Sequence, residues 1–211
     1  MSTESGMPVV RPATPEMAPG AGQLIYFTMG KVADYLFGAD DADRARTVFA
    51  RLFRSKSNYL GYQLADVVTR SERPVALVTA ASWRTLQSLE IPTAYQLARA
   101  GGVSGLVRML IRSRPFMNIK EAEDDEYFVA HLAVLPDFEG QGLGRLLLSH
   151  AENRARQAGF GKIALTVDVD NARAVSLYRR SGFQTVETHL FPTLKDKIGY
   201  NGFHRMVKHL A

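Results

Sequence analysis

The stretch EYFVAHLAVLPDFEGQGLGRLLLSHAENRARQAG, residues 126–159, constrains this chain more than any other. An apolar run ends at Val134, a short turn follows, and glycines arrive at 140, 142 and 144 as a helical pattern begins. Leu143, Leu146, Leu147, Ala151, Ala155 and Ala158 recur at helical spacing, so one face is apolar. Arg145, Glu152, Asn153, Arg154 and Arg156 cover much of the rest, and Gly159 stands where a C-terminal stop is expected. At a helix start the first backbone N–H groups lack partners and the dipole end is positive. Glycines there let an anion approach closely, so the turn is built as a phosphate seat. The glycines alone fit an unliganded strand-to-helix turn as well, and the neighbouring segments decide between the two.

Spacing excludes two common phosphate motifs. A dinucleotide fingerprint, G-x-G-x-x-G, counted from Gly140 needs glycine where Arg145 stands. No G-x-x-x-x-G-K-[ST] run occurs.

The 211 residues, 46% of them hydrophobic, suit one domain with a sizeable core. Residues 1–8 are small and polar and are expected to be disordered, leaving 9–211 as the domain. The absence of cysteine excludes a disulfide framework, a thiol nucleophile and cysteine-ligated zinc. The start, MSTESGMPVV, has no signal-peptide pattern, and no apolar run nears the ~20 residues needed to cross a bilayer, so a cytoplasmic protein is expected. A net charge of +5 without a dense basic cluster interleaved with aromatics argues against nucleic acid and suits an anionic cofactor. His150, His189, His204 and His209 lack metal-ligand spacing, so no metal is assigned.

Along the chain, residues 9–11 read as a short strand. Thr14-Pro15-Glu16 reads as a helix start, with Pro19, Gly20 and Gly22 interrupting or ending that helix. A stronger helix covers 23–37 and closes at Gly38. Asp40-Asp41 opens another, with Ala45, Val48, Phe49, Leu52 and Phe53 on one side. Residues 62–69 and 74–82 form a hairpin. Residues 84–125 read as a helical insertion. A first helix covers 93–100, Gly101-Gly102 breaks it, and a stripe of Val103, Leu106, Val107, Leu110 and Ile111 follows. The stripe is either extra core or a dimer surface, or else a wall or lid over a substrate. The acidic run at 121–126 reads as a solvated loop, with attraction of a cationic amine as the sharper alternative. Residues 162–168 alternate as a strand. Asn171 caps a helix whose Ala174, Leu177 and Tyr178 share a face, and Gly182 ends it. Strands at 183–190 and 202–210 close the chain, joined by a loop over 192–201.

Glu139-Gly140-Gln141-Gly142-Leu143-Gly144 resembles motif A, R/Q-x-x-G-x-G/A, of the GCN5-related N-acetyltransferases (GNAT), with Glu139 where Arg or Gln is usual. Leu132-Ala133-Val134 and Pro136-Asp137-Phe138 also look like that family. The run from Asn171 to Phe183 resembles its motif B, N-x-x-A-x-x-L-Y-x-x-x-G-F. The two motifs stand in the family's order and spacing, and the likeness covers 127–186. The resemblance implies an α/β fold with a mixed, mostly antiparallel sheet, splayed between its fourth and fifth strands, with helices on both faces and the insertion before the fourth strand. It implies acetyl-CoA as co-substrate. The pantetheine arm would pair with Leu132, Ala133 and Val134, the pyrophosphate would rest on Gln141, Gly142, Leu143, Gly144 and Arg145, and Asn171, Ala174 and Tyr178 would reach the arm. It implies acetyl transfer by direct attack of a primary amine, on a small molecule or a protein, with Tyr178 as general acid. The base is left between His131 and Glu126, or to desolvation alone. A homodimer is frequent in such a family. The alternatives are a non-catalytic acyl-CoA-binding module of the same fold and a Rossmann-like nucleotide-binding domain.

Overall fold

A computed structural model describes residues 8–38, 42–117 and 119–210. The helix start expected at Asp40-Asp41 lies outside them. Among the described residues, seven strands form one sheet: β1 Val10–Pro12, β2 Ala65–Arg70, β3 Arg73–Ser82, β4 Tyr127–Val134, β5 Lys162–Asp168, β6 Gln184–Leu190 and β7 Gly202–His209. Their order is β1-β2-β3-β4-β5-β7-β6, and β4–β5 is the parallel pair in an otherwise antiparallel sheet.

Helices α1 (Ala18–Met29) and α3 (Ala42–Arg54) cover one face through Leu24, Ile25, Phe49, Leu52 and Phe53, which meet Val67, Leu77 and Ala133. Pro19 does not interrupt α1, because it lies in the first turn, where its missing N–H has no intrahelical partner to lose. Gly22 does not end the helix either. It lets α1 press on α3, and a Cβ there would stand 2.8 Å from the Ala50 nitrogen. The break falls at Gly30, φ 47° and ψ −127°. A single turn, α2 (Lys31–Ala33), then passes into a π-helical turn, Asp34–Gly38. The 23–37 stripe is therefore two segments.

The other face carries α6 (Leu143–Gln157) and α7 (Ala172–Arg180), with Leu143, Leu147, Leu148, Ala151, Val175 and Tyr178 in the second core. Two ion pairs moor α6: Arg154 to Asp66 of β2, and Lys208 of β7 to Glu152 at 2.7 Å.

The insertion holds α4 (Trp83–Ser88), capped by the Ser82 hydroxyl accepting from Thr85 N–H at 3.1 Å, and α5 (Glu90–Ser113). Gly102, φ 72° and ψ 170°, kinks α5 where the glycine pair stands. Leu106 is partly covered, but Val103, Val107, Leu110 and Ile111 stay exposed, so most of the stripe does not become core.

One further expectation fails and another holds in part. Residues 192–201 are not a plain loop: α8 (Pro192–Ile198) occupies most of them. Pro192 opens it, Leu194 is buried against Phe191 and Phe203, and left-handed Gly199 stops it, a proline-start, glycine-stop pattern. The acidic run is a loop with Glu123, Asp124 and Asp125 exposed, as expected, but its last residue leaves solvent. Glu126 is buried and paired with Arg205, Asp125 binds Lys162, Glu123 binds Lys120, and Asp124 faces Arg84 at 3.8 Å. Four of its carboxylates lie within 4 Å of cations of this chain.

Candidate functional site

Strands β4 and β5 pair only from Tyr127↔Ile163 to Val129↔Leu165, whereas the β3–β4 ladder continues to Ala76↔Val134. The β3–β4 register shifts between Thr79 and Ala80, leaving Ala130 as the extra residue on β4. A bulge bends its strand and steepens the twist. Here it falls where β4 leaves β5, which gives the parting a local cause.

Beyond the bulge, Leu135 N–H donates to the Val75 carbonyl at 2.8 Å. Alternation along the strand then turns the backbone of Ala133 and His131 toward β3, and that of Leu132 and Val134 into the gap. Of the three residues expected to pair with a ligand there, Leu132 and Val134 present free backbone groups. Ala133 spends its own on the β3 ladder.

The gap runs into the glycine turn. Gly140 (φ 77°) and Gly142 (φ 79°) are left-handed, and a Cβ at either would meet nothing within 4 Å. Gly142 caps α6, and Leu146 N–H makes the first intrahelical bond, to the Gly142 carbonyl at 3.0 Å. The N–H groups of Gly142 to Arg145 have no intrahelical acceptor. Gly144 is closed in: a Cβ there would stand 3.4 Å from Leu177 and 3.8 Å from Leu132. Glu139 is paired with Arg173 in the first turn of α7, so the loop's one carboxylate next to the glycines has its charge countered by the second motif.

Tyr178 is buried on α7, and burial pushes its hydroxyl up to about 12. It therefore stays protonated at neutral pH. Asn171 accepts from Ala174 N–H at 3.0 Å, so its carbonyl serves as the helix cap and only its amide N–H₂ remains for a ligand. Ala174 is partly buried beside it.

His131 is buried against α1, and its Nδ1 lies 2.7 Å from the Thr28 hydroxyl. That hydroxyl donates to the Ile25 carbonyl at 2.7 Å. Its single proton being used there, Nδ1 carries the hydrogen and Nε2 holds a lone pair. Nε2 is buried with no partner, and burial lowers the imidazole pKa to about 4. Glu126 stands at the opposite, closed end of β4. It accepts from Arg205 and from Glu123 N–H at 2.7 Å, so the two base candidates are not brought together.

Thr28, Ala130 and Arg173 are absent from the sequence reading. Thr28 meets His131 across 103 positions, and no local pattern signals such a pair. Among the described residues no group of three His, Asp or Glu side chains is placed to hold a metal, and no helix is long and apolar enough to cross a membrane.

A mixed sheet parted at its parallel pair, with free helix N–H groups at the head of the gap, defines an α/β protein with an open seam in its sheet. Residues 63–183, more than half of the chain, match the model of the acetyltransferase (GNAT) family, and the chain belongs to that family. It is 38% identical over 71 residues to the [ribosomal protein bS18]-alanine N-acetyltransferase of Escherichia coli (strain K12), a match covering 33% of this chain and 48% of that protein. It is 46% identical over 57 residues to the mycothiol acetyltransferase of Propionibacterium freudenreichii subsp. shermanii, covering 27% of this chain and 18% of that one. The match thus spans about half the length of the first relative and under a fifth of the second. A solved acetyltransferase superposes with a TM-score of 0.72 at 20% identity, covering 96% of this chain and 100% of its own. The N-acetyltransferase of Staphylococcus aureus Mu50 gives 0.65 at 18%, covering 94% and 99%. At such identities these two speak for the fold alone.

Proposed function

We propose that this chain is an acetyl-CoA-dependent N-acetyltransferase acting on a primary amine. The observation that carries the reading is the parting of β4 from β5, which opens free backbone groups at Leu132 and Val134 and leads to the unpaired N–H groups at the head of α6. The donor set fits the co-substrate: strand-like polar groups for an amide-bearing arm, helix N–H groups for a diphosphate, and no side chain filling the glycine turn. Acetyl-CoA supplies an acetyl thioester when bound.

The remaining chemistry belongs to residues of this chain. Backbone N–H of Leu132 or Val134 polarises the thioester carbonyl as it gains negative charge. The Tyr178 hydroxyl, held neutral by burial, gives its proton to the departing sulfur. A base with a pKa near 4 takes a proton only weakly, so His131 Nε2 receives a hydrogen bond from the amine, exclusion of water supplies the amine's neutral form, and the proton that nitrogen loses on becoming an amide restores Tyr178. Glu126, tied to Arg205, takes no part.

The test is release of free CoA thiol from acetyl-CoA across a panel of primary amines, beside thermal protection by CoA, ATP and NAD. We expect turnover with a subset of amines and protection by CoA above the nucleotides. Protection by CoA with no thiol release across the panel favours the non-catalytic module. Stronger protection by ATP or NAD overturns the reading.

A further inference from the structure

The π-helical turn after α2 turns Tyr35 into a hollow of about 470 Å³, lined also by Val107, Arg108, Ile111 and Arg112 of α5 and Lys197 of α8. π-turns within helices recur at functional sites. Two cations bracket the Tyr35 ring, with Arg112 Cζ and Lys197 Nζ each 5.3 Å from its centroid. Arg112 also donates to the Tyr35 carbonyl at 2.6 Å, which fixes its guanidinium. Arg108, Arg112 and Lys197 make no ion pair with a carboxylate among the described residues. Three cations therefore stand beside a wall built from Val107, Ile111 and an aromatic ring.

The hollow adjoins the open end of the sheet. Phe191 N–H donates to the Asn201 carbonyl at the base of α8, and Val169 N–H, just past β5, donates to the Gly202 carbonyl. Phe116, after α5, packs on Phe191 with centroids 5.0 Å apart, and Phe191 stacks on Tyr200 at 5.8 Å. Phe116, α8 and Tyr35 thus share one apolar cluster near the C-terminal end of β5.

We infer that this hollow seats the acceptor by a carboxylate-like anionic group, so that the preferred acceptor is a primary amine carrying such a group on an apolar frame. The inference rests on the acetyltransferase reading and adds the acceptor's chemical class. Apolar body and anion answer the two halves of the lining: Val107, Ile111 and the Tyr35 ring for the frame, Arg108, Arg112 and Lys197 for the charge.

The test uses the full chain and the double variant R108Q/K197M, which removes two cations and leaves the Arg112–Tyr35 bond in place. Calorimetric titration in saturating CoA compares 4-phenylbutyrate with its neutral counterpart 4-phenyl-1-butanol, and thiol release compares phenylalanine with phenethylamine. We expect the carboxylate probe to bind about tenfold more tightly than the alcohol, and the variant to erase that preference while CoA affinity holds. We expect the variant to raise KM for the carboxylate-bearing amine and to spare the neutral one. Equal affinity for acid and alcohol, a preference that survives in the variant, or an exposed α5 stripe buried in a dimer that excludes the probe would each overturn the inference. Loss of CoA binding in the parent protein would instead strike the acetyltransferase reading, and the titration of the acid without CoA still decides the anion site.

Discussion

The two ends of β4 are built on opposite terms. At its start, Tyr127 to Val129 are laddered on both sides, and the buried Glu126–Arg205 pair bolts β4 to β7 across β5. Past Ala130 the strand keeps only its β3 ladder and presents free polar groups to a gap. Open backbone inside a sheet is costly unless something else holds the strands. The closed end supplies that hold, so stability should concentrate at one end and ligand affinity at the other.

The largest expected effect breaks the closed end. Arg205→Met leaves a buried carboxylate without its cation and should cost about 3–5 kcal/mol in denaturant unfolding. Adding Glu126→Leu should recover much of that loss. If the single variant loses less than about 1 kcal/mol, the closed end is not the anchor.

The pH dependence separates the ends next. His131 has a folded pKa lowered from 6.5 to about 4, so its contribution is present above pH 6.5 and is lost as pH falls toward 4. The full difference approaches about 3 kcal/mol, and the unfolding curve of His131→Gln, set against the parent, should show it over that window. Glu121 runs the other way. Burial first, and Glu90 second, raise its carboxyl from 4.5 to about 7, so its contribution is present below 4.5 and is lost as pH rises through 7. Glu121→Gln should steepen the rise of stability with pH that His131→Gln removes.

At the open end, Tyr178→Phe should lower kcat about a hundredfold and leave CoA affinity within about twofold, read by single-turnover kinetics and titration. Equal loss of both would remove the acid role. Gly142→Val, forced to φ 79° at the helix cap, should weaken CoA about tenfold through displaced N–H donors and cost about 1–2 kcal/mol in stability. The smallest effect is a control at an exposed hairpin turn. Ser71 and Glu72 turn the β2–β3 hairpin with φ 47° and 63°, so Glu72→Gly should change stability by under about 1 kcal/mol, the relieved strain offsetting the lost Arg11 pair.

What could be read in advance follows the same division. The strand, glycine turn and helix at 126–159 and the capped helix after Asn171 are local patterns, and each was legible residue by residue. The splay was expected from family likeness, but its cause, the bulge at Ala130, depends on register against β3, which no single strand reveals. Ala133 was grouped with Leu132 and Val134 because the motif does not say which way the backbone faces. The Thr28–His131 bond and the Glu126–Arg205 pair join residues 103 and 79 positions apart, beyond any window of sequence. α8 was missed for a different reason: 192–201 was read as a loop, although Pro192 and Gly199 together mark a helix's two ends.

The moorings of α6 carry one more consequence. Arg154 reaches Asp66 in β2 and Glu152 reaches Lys208 in β7, level with the laddered start of β4, so a single rigid rod ties the two sides of the sheet together like a lintel. A frame braced in that manner has its width set before any guest arrives. On the acetyltransferase reading, entry of the thread-like co-substrate then resembles sliding into a slot.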